Sequence, residues 1–231
     1  MPAAEEKKHL ILFTLYISLS VGIFAVLTVV HSYITSNEMN GLDFLVPVAT
    51  ALLVGYLLAR NKVLQIQFTK LANTDKLTGI YNRLYFDQRL QDEVNRAHRY
   101  KHTFSIIYLD IDYFKQINDR FGHATGDQVL IEFVKIIKDV NRESDIFARI
   151  GGEEFILLLQ MTNKDSAQTL YQRIKTAVDK YQFSTIKQLK FSAGIAEFDN
   201  EHDTCTRLLE RADKALYRAK SAGRDQAAIA D

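Results

Sequence analysis

Apolar positions divide the chain into two unlike parts. From Leu10 to Val30 no charged residue occurs, and Leu, Ile, Val, Phe and Ala dominate. At about 1.5 Å per residue, a helix of that length matches a hydrocarbon core of roughly 30 Å. A second apolar run, Phe44–Ala59, is interrupted only by Pro47 and Gly55 and is apolar all round rather than striped, which suits lipid. The pattern predicts two transmembrane helices, about 10–32 and 42–59, forming a hairpin through a short polar loop, His31–Asp43. A signal peptide competes for the first run, but its h-region would be shorter and would end at a small-residue cleavage site. A buried amphipathic helix competes for the second, with nothing nearby in the sequence to bury it.

Beyond the second run the pattern changes. Arg60–Asn73 lacks Gly and Pro and carries spaced apolar residues, so it reads as a helical connector continuing the second membrane helix. Val63, Ile66 and Leu71 are candidates for a short dimer seam. Asn73-Thr74-Asp75 has capping chemistry and marks a break. Then follow a helix through Tyr100, a strand (Thr103–Ile111) and two helical patterns (Tyr113–Arg120 and Thr125–Val140). A strand (Asp145–Ile150), a Gly-Gly turn and a strand (Phe155–Gln160) come next. A helix (Lys164–Tyr181), a strand (Leu189–Phe198) and a helix (Thr206–Ser221) finish the pattern. The order β-α-α-β-β-α-β-α predicts an α+β fold whose central, mainly antiparallel sheet is flanked by helices. That domain would occupy residues 74–231.

Charge orients the first part. Lys7 and Lys8 precede the first run, Arg60 and Lys62 follow the second, and the loop between them has only Glu38 and Asp43. The positive-inside rule then puts residues 1–9 and the C-terminal domain in the cytoplasm, making this a multi-pass protein of the inner (cytoplasmic) membrane. Over all 231 residues, 29 basic and 28 acidic side chains give a net charge of +1, so nothing favours nucleic acid as a partner. Cys205 is the only cysteine, which excludes an intrachain disulfide and a cysteine-based metal site.

The candidate chemistry lies where strands end. Phe104–Leu109 is almost wholly apolar and runs into Asp110-Ile111-Asp112. A carboxylate at the end of a buried strand is costly unless it is paired or metal-bound. Asp112 has a simple explanation as a cap for the helix starting at Tyr113; Asp110, deeper in the strand, does not. Arg149-Ile150-Gly151-Gly152-Glu153-Glu154-Phe155 places two glycines and two acids between strands. The glycines predict a hairpin using positive φ angles, with a bare backbone that a phosphate can approach closely. If these strands are neighbours, Asp110 and Glu153 converge. Two carboxylates, a backbone carbonyl and substrate phosphates suit Mg²⁺ (or Mn²⁺) and phosphoryl or nucleotidyl transfer.

From about residue 73 to the C-terminus the chain resembles the GGDEF domain, the catalytic module of diguanylate cyclases. Gly151-Gly152-Glu153-Glu154-Phe155 is the Glu form of the signature. Asp75-x-Leu77-Thr78-Gly79-x-x-Asn82-Arg83 and Asp110-Ile111-Asp112-x-Phe114-Lys115-x-x-Asn118-Asp119 also match. So do Gly122-His123-x-x-Gly126-Asp127 and Ala212-Asp213-x-Ala215-Leu216-Tyr217-x-Ala219-Lys220-x-x-Gly223-Arg224. The resemblance implies a nucleotidyl-cyclase-like fold and a homodimer turning two GTP into cyclic di-GMP and two pyrophosphates.

The same resemblance implies roles for matching residues. Asp110, the Ile111 carbonyl and Glu153 would bind metal. Asn118 and Asp127 would read guanine, their donors and acceptors fitting its edge. Lys115, Lys220, Arg224 and the backbone at Phe114 and Gly152 would hold the triphosphate. Glu154 would help deprotonate the 3′-hydroxyl. Arg142-Glu143-Ser144-Asp145, five residues before Gly151, matches the product-inhibition site, with Arg173 as an added contact. Plainer readings exist beside these: Lys220 and Arg224 as cations at a helix end, Asn118 as a helix-end polar residue, Asp127 as a helix N-cap. Asp75 and Arg83 would tie the first helix to the domain, and His123 would serve as a structural hydrogen-bonding residue. Asp225 stands where Asn is frequent, with no expected role. The rival functions are a catalytically silent module binding GTP or cyclic di-GMP, and a cyclase making a 3′,5′-cyclic mononucleotide.

Overall fold

The computed structural model of the protein describes residues 18–19, 21–33 and 41–230. The chain forms two compact units that meet at Ala72 and Asn73 in the sequence.

In the first unit residues 21–33 are helical, and a long helix, α1, runs over Gly41–Asn73. The second predicted membrane segment and the connector are therefore one continuous helix, as an uninterrupted stretch without a helix breaker in its later half dictates. The two-helix membrane hairpin itself is not found: among the described residues no helix is long and apolar enough to cross a membrane. Phe44–Ala59 is shorter than a typical span of about 20 residues, and Asp43 and Arg60 bound it. Residues 10–17 and 20 of the first predicted segment and the loop residues 34–40 lie outside the described residues.

The second unit is a three-layer α+β domain. Its helices are α2 (Arg83–Tyr100), α3 (Phe114–Phe121), α4 (His123–Val140), α5 (Lys164–Lys180) and α6 (Cys205–Ser221). Its strands are β1 (Tyr81–Asn82), β2 (Phe104–Ile111), β3 (Ile146–Arg149), β4 (Glu154–Gln160), β5 (Phe191–Glu197) and β6 (Ala227–Ile229). They form one six-stranded sheet in the order β1-β3-β4-β2-β5-β6. The three central pairings are antiparallel, as expected. The two edge pairings, β1 with β3 and β5 with β6, are parallel, so the sheet is mixed.

Alternation along β2 sorts its side chains between two cores. Ile107, Leu109 and Ile111 pack with α4 and α5 residues such as Phe133 and Ile174. Phe104 and Ile106 pack with α2 and α6 residues such as Phe86 and Ala212. By this alternation Asp110 emerges on the α2/α6 face, the position that lets it meet α6. Asn82, Asn163 and Thr204 N-cap α2, α5 and α6, each accepting a backbone N–H two or three residues into the helix, which fixes where these helices start.

Candidate active site

β2 occupies the centre of the sheet with β4 on one side, and Asp110 is directly opposite Glu154 in that antiparallel register. The Ile111 amide donates to the Glu153 carbonyl at 3.3 Å. The end of β2 and the Gly-Gly-Glu-Glu turn are thereby stitched together at the backbone.

Asp110 is only 7% exposed, and its Oδ2 is 2.7 Å from Lys220 Nζ in the last turn of α6. Burial holds the Asp110 carboxyl above the usual carboxylate range, with Glu154 and Asp112 adding to the effect and Lys220 opposing it. Glu153 is likewise pushed up, first by burial and next by the Asp110 charge, again against Lys220. A buried and a partly buried carboxylate whose charges repel each other offer hard oxygen donors whose repulsion a divalent cation would relieve. Among the described residues no three His, Cys, Asp or Glu side chains gather as a metal cage. Carboxylate oxygens of this kind suit a hard cation that keeps water or substrate oxygens in its shell, as Mg²⁺ does.

The two signature glycines act differently from expectation. Neither has a positive φ; among the described glycines only Gly79, Gly122 and Gly223 do. Four residues, 150–153, separate β3 from β4, so no tight two-residue hairpin forces a left-handed backbone here. A Cβ on Gly151 would meet the Glu154 carboxylate, the movable end of a side chain that lies over it. A Cβ on Gly152 would meet nothing within 4 Å, leaving its backbone open to a ligand. Arg149 holds the turn, donating to the Gly152 carbonyl at 3.1 and 2.6 Å and to Asp75 at 3.1 and 3.3 Å. Burial pushes the Asp75 carboxyl up, but hydrogen bonds from Thr78 and Arg149 outweigh this and hold it low. Asp75 thus anchors the segment before α2 to the signature turn. Arg83 takes no part in this, being exposed and 3.8 Å from Asp87 one turn along α2.

Around α3 the candidate nucleotide residues come together in pairs. Phe114 is buried and Lys115 exposed in its first turn, and α3 has no side-chain cap to occupy its first amides. A Cβ on Gly126 would collide with Asn118 Oδ1. Only glycine lets Asn118 lie against α4 beside Asp127, which is exposed. Asp127 sits one turn inside α4 and is not its N-cap. His123 is exposed at the start of the same helix.

Asp112 does not cap α3 either, because the cap position is Tyr113 and lacks a side-chain hydrogen bond. Asp112 instead is buried, accepting from the Ser192 hydroxyl at 2.9 and 3.1 Å and from the Asp225 amide at 2.9 Å. Asp225, for which no role was expected, is 3.0 Å from Lys175 and 3.6 Å from Lys190. These contacts fix the turn after α6 that carries Arg224. Their partners are far away in sequence, so no local motif announces them.

Arg142 is exposed in the loop after α4, and the Asp145 amide donates to its carbonyl at 3.2 Å. Burial raises the Asp145 carboxyl, with the Arg142 backbone hydrogen bond and charge acting against it. Arg173 of α5 donates to the Val140 carbonyl at 3.2 Å, which brings it to the same end of α4 as Arg142.

Comparison with known proteins agrees with this architecture. Residues 72–226 match the family model described as "Diguanylate cyclase, GGDEF domain". The coiled coil and GGDEF domain of DgcB from Caulobacter crescentus, solved in complex with c-di-GMP, superposes with a TM-score of 0.70. It is 31% identical, covering 75% of this chain and 93% of that one. The diguanylate cyclase DgcP of Pseudomonas aeruginosa is 41% identical over 162 residues, which is 69% of this chain and 24% of DgcP. Diguanylate cyclase A of Treponema denticola is 37% identical over 170 residues, 71% of this chain and 46% of that protein. The match therefore spans less than half the length of these last two cyclases. The fold is a nucleotidyl-cyclase-like α+β domain. The chain belongs to the GGDEF-domain family.

Proposed function

We propose that the chain is a diguanylate cyclase, condensing two GTP into cyclic di-GMP with release of two pyrophosphates. The observation that carries this reading is the juxtaposition of β2 with the signature turn, Asp110 opposite Glu154 and Ile111 bonded to Glu153. Asp110, Glu153 and the Ile111 carbonyl would hold Mg²⁺ (or Mn²⁺). When bound, the cation polarises the α-phosphate and lowers the pKa of the attacking hydroxyl. Asn118 and Asp127 bind the guanine edge. Lys115, Lys220, Arg224 and the amides at Phe114 and Gly152 bind the triphosphate. Glu154 takes the proton from the 3′-hydroxyl as its oxygen attacks the α-phosphorus of the other nucleotide and pyrophosphate leaves.

One domain binds one nucleotide, so the reaction takes a homodimer with the two sites face to face, a proximity effect. Incubating the purified chain with GTP and Mg²⁺ and identifying the product by mass tests the reading. Cyclic di-GMP supports it, a 3′,5′-cyclic mononucleotide replaces it with a different cyclase, and nucleotide binding without product leaves a silent receptor.

Arg142, Asp145 and Arg173 form the product-inhibition site, Arg142 offering a planar fork to phosphate and guanine. Hydrogen bonds to charged groups contribute about 1.5–3 kcal/mol. Arg142→Ala is expected to raise the cyclic di-GMP concentration for half-inhibition at least roughly tenfold, and unchanged inhibition would remove the site.

A membrane location also belongs to this proposal. Its support is the uncharged Leu10–Val30 run and the large apolar side chains exposed at Leu19, Ile23, Val26, Leu27, Leu52, Leu53 and Leu57. The chain is expected to sediment with the inner membrane after a high-salt wash and to need detergent for release; release by salt alone would contradict an anchor.

A further inference from the structure

Tyr113 has a left-handed backbone with φ of 58°, unusual for a bulky residue. Arg224, from the turn after α6, is also left-handed, with φ of 63°, as is Asp225 at 53°. Such conformations cost roughly 1–3 kcal/mol each and persist where the surroundings enforce them. These strained segments, far apart in sequence, meet through their side chains. The Arg224 guanidinium carbon lies 4.7 Å from the centre of the Tyr113 ring, and its Nε is 4.0 Å from Asp112 Oδ1.

The surroundings that enforce the geometry are also defined. Asp112 accepts the Asp225 amide, while Lys175 and Lys190 hold the Asp225 carboxylate. The Arg224 amide donates to the Ala219 carbonyl at 3.1 Å. Tyr113 itself starts α3, its carbonyl accepting from Gln116 at 2.9 Å. Its ring is 51% exposed, so core packing does not explain why a bulky residue occupies a position that glycine would fill without strain. The ring's described partner is the guanidinium.

We propose that Tyr113 is a positioning residue for the triphosphate end of the nucleotide, its ring backing Arg224 so that the guanidinium is held ready for phosphate. This rests on the reading of Arg224 as a phosphate ligand given above. Arg loses much side-chain freedom on binding an anion. An aromatic face beneath it removes part of that freedom beforehand, and the ring attracts the cation without competing for its N–H donors.

The test uses the full chain and a non-hydrolysable GTP analogue with Mg²⁺, measuring the dissociation constant directly. Tyr113→Gly deletes the ring and relieves the left-handed backbone, so it folds at least as well as the parent. It is expected to weaken analogue binding about two- to fivefold, the size of an exposed cation–π contact. Tyr113→Phe keeps the ring and restores parent affinity. With Arg224→Ala already present, Tyr113→Gly adds nothing, an outcome that a merely structural role would not give. Parent-like affinity in Tyr113→Gly, or an undiminished loss in the Arg224→Ala background, overturns the proposal. Cyclic di-GMP production is scored separately: a chain that binds the analogue but makes no product refutes the cyclase reading and still reports the effect of the ring.

Discussion

Replacing Glu153 with alanine is expected to abolish cyclic di-GMP formation while leaving the domain as stable as before, or slightly more so. Loss of a residue that merely supports a metal ligand typically costs 10–100-fold in affinity or activity. Glu153 is proposed to contact the metal itself, so a fall of at least about a hundredfold is the minimum. The stability half of the expectation comes from electrostatics. Burial and the neighbouring Asp110 charge both push the Glu153 carboxyl up, which means the folded domain holds it at a cost. Deleting it removes repulsion without creating a cavity, because the residue is only half-buried. Product quantified by mass spectrometry and Tm from a thermal scan check the two halves. An alanine variant retaining a tenth of the parent rate would sink the assignment of Glu153 to the metal. A loss of both activity and Tm would instead mark it as a structural residue.

That the sequence exposes Glu153 and Asp110 so readily has a physical basis. A fully covered strand is apolar throughout, so the carboxylate that follows Phe104–Leu109 is conspicuous, and the observed β2 ends one residue beyond it, at Ile111. The main helices and central strands fall within a few residues of their predicted positions for the same reason, each having a long periodic face. β1 and β6 were not foreseen. They have two and three residues, too few for alternation to register, and they exist because the edges of β3 and β5 offer unpaired backbone groups.

The site was legible wherever one motif supplies the contact and illegible where folding supplies it. Asp112 looks locally like a helix cap, yet its partners are Ser192 and Asp225, from β5 and the turn after α6. Arg149 stood within the signature stretch without an evident task, because its partner Asp75 lies at the other end of the domain sequence. The positive φ expected of the signature glycines is absent, while the open backbone expected beside them is observed at Gly152; a glycine needed for positive φ and one needed for close approach look identical in a sequence. Only the position of the Glu154 side chain over Gly151 tells them apart.

Gly194 carries the second large effect, through close approach of a helix to the sheet. It lies in β5, opposite Tyr108 of β2, and a Cβ there would strike the backbone carbonyl of Ala212 and the backbone nitrogen of Leu216. Those are fixed atoms of α6, not the movable ends of side chains, so α6 must lift from the sheet to admit a methyl group. Overpacking of this kind costs about 1–3 kcal/mol, and contact with two backbone atoms argues for the upper end. At roughly 2–4 °C per kcal/mol for a domain of this size, Gly194→Ala is expected to lower Tm by roughly 10 °C. Gly152→Ala, where a methyl group meets nothing, should stay within about 1 °C of the parent and serves as the control. The displacement also reaches the site, since Lys220 is one turn beyond Leu216 on the same helix and holds Asp110 at 2.7 Å. Nucleotide affinity should therefore fall even at temperatures where the variant is fully folded. A Gly194→Ala chain with parent Tm and parent affinity would mean that α6 has slack in its seat on β5, and that the position of Lys220 is not set by that packing.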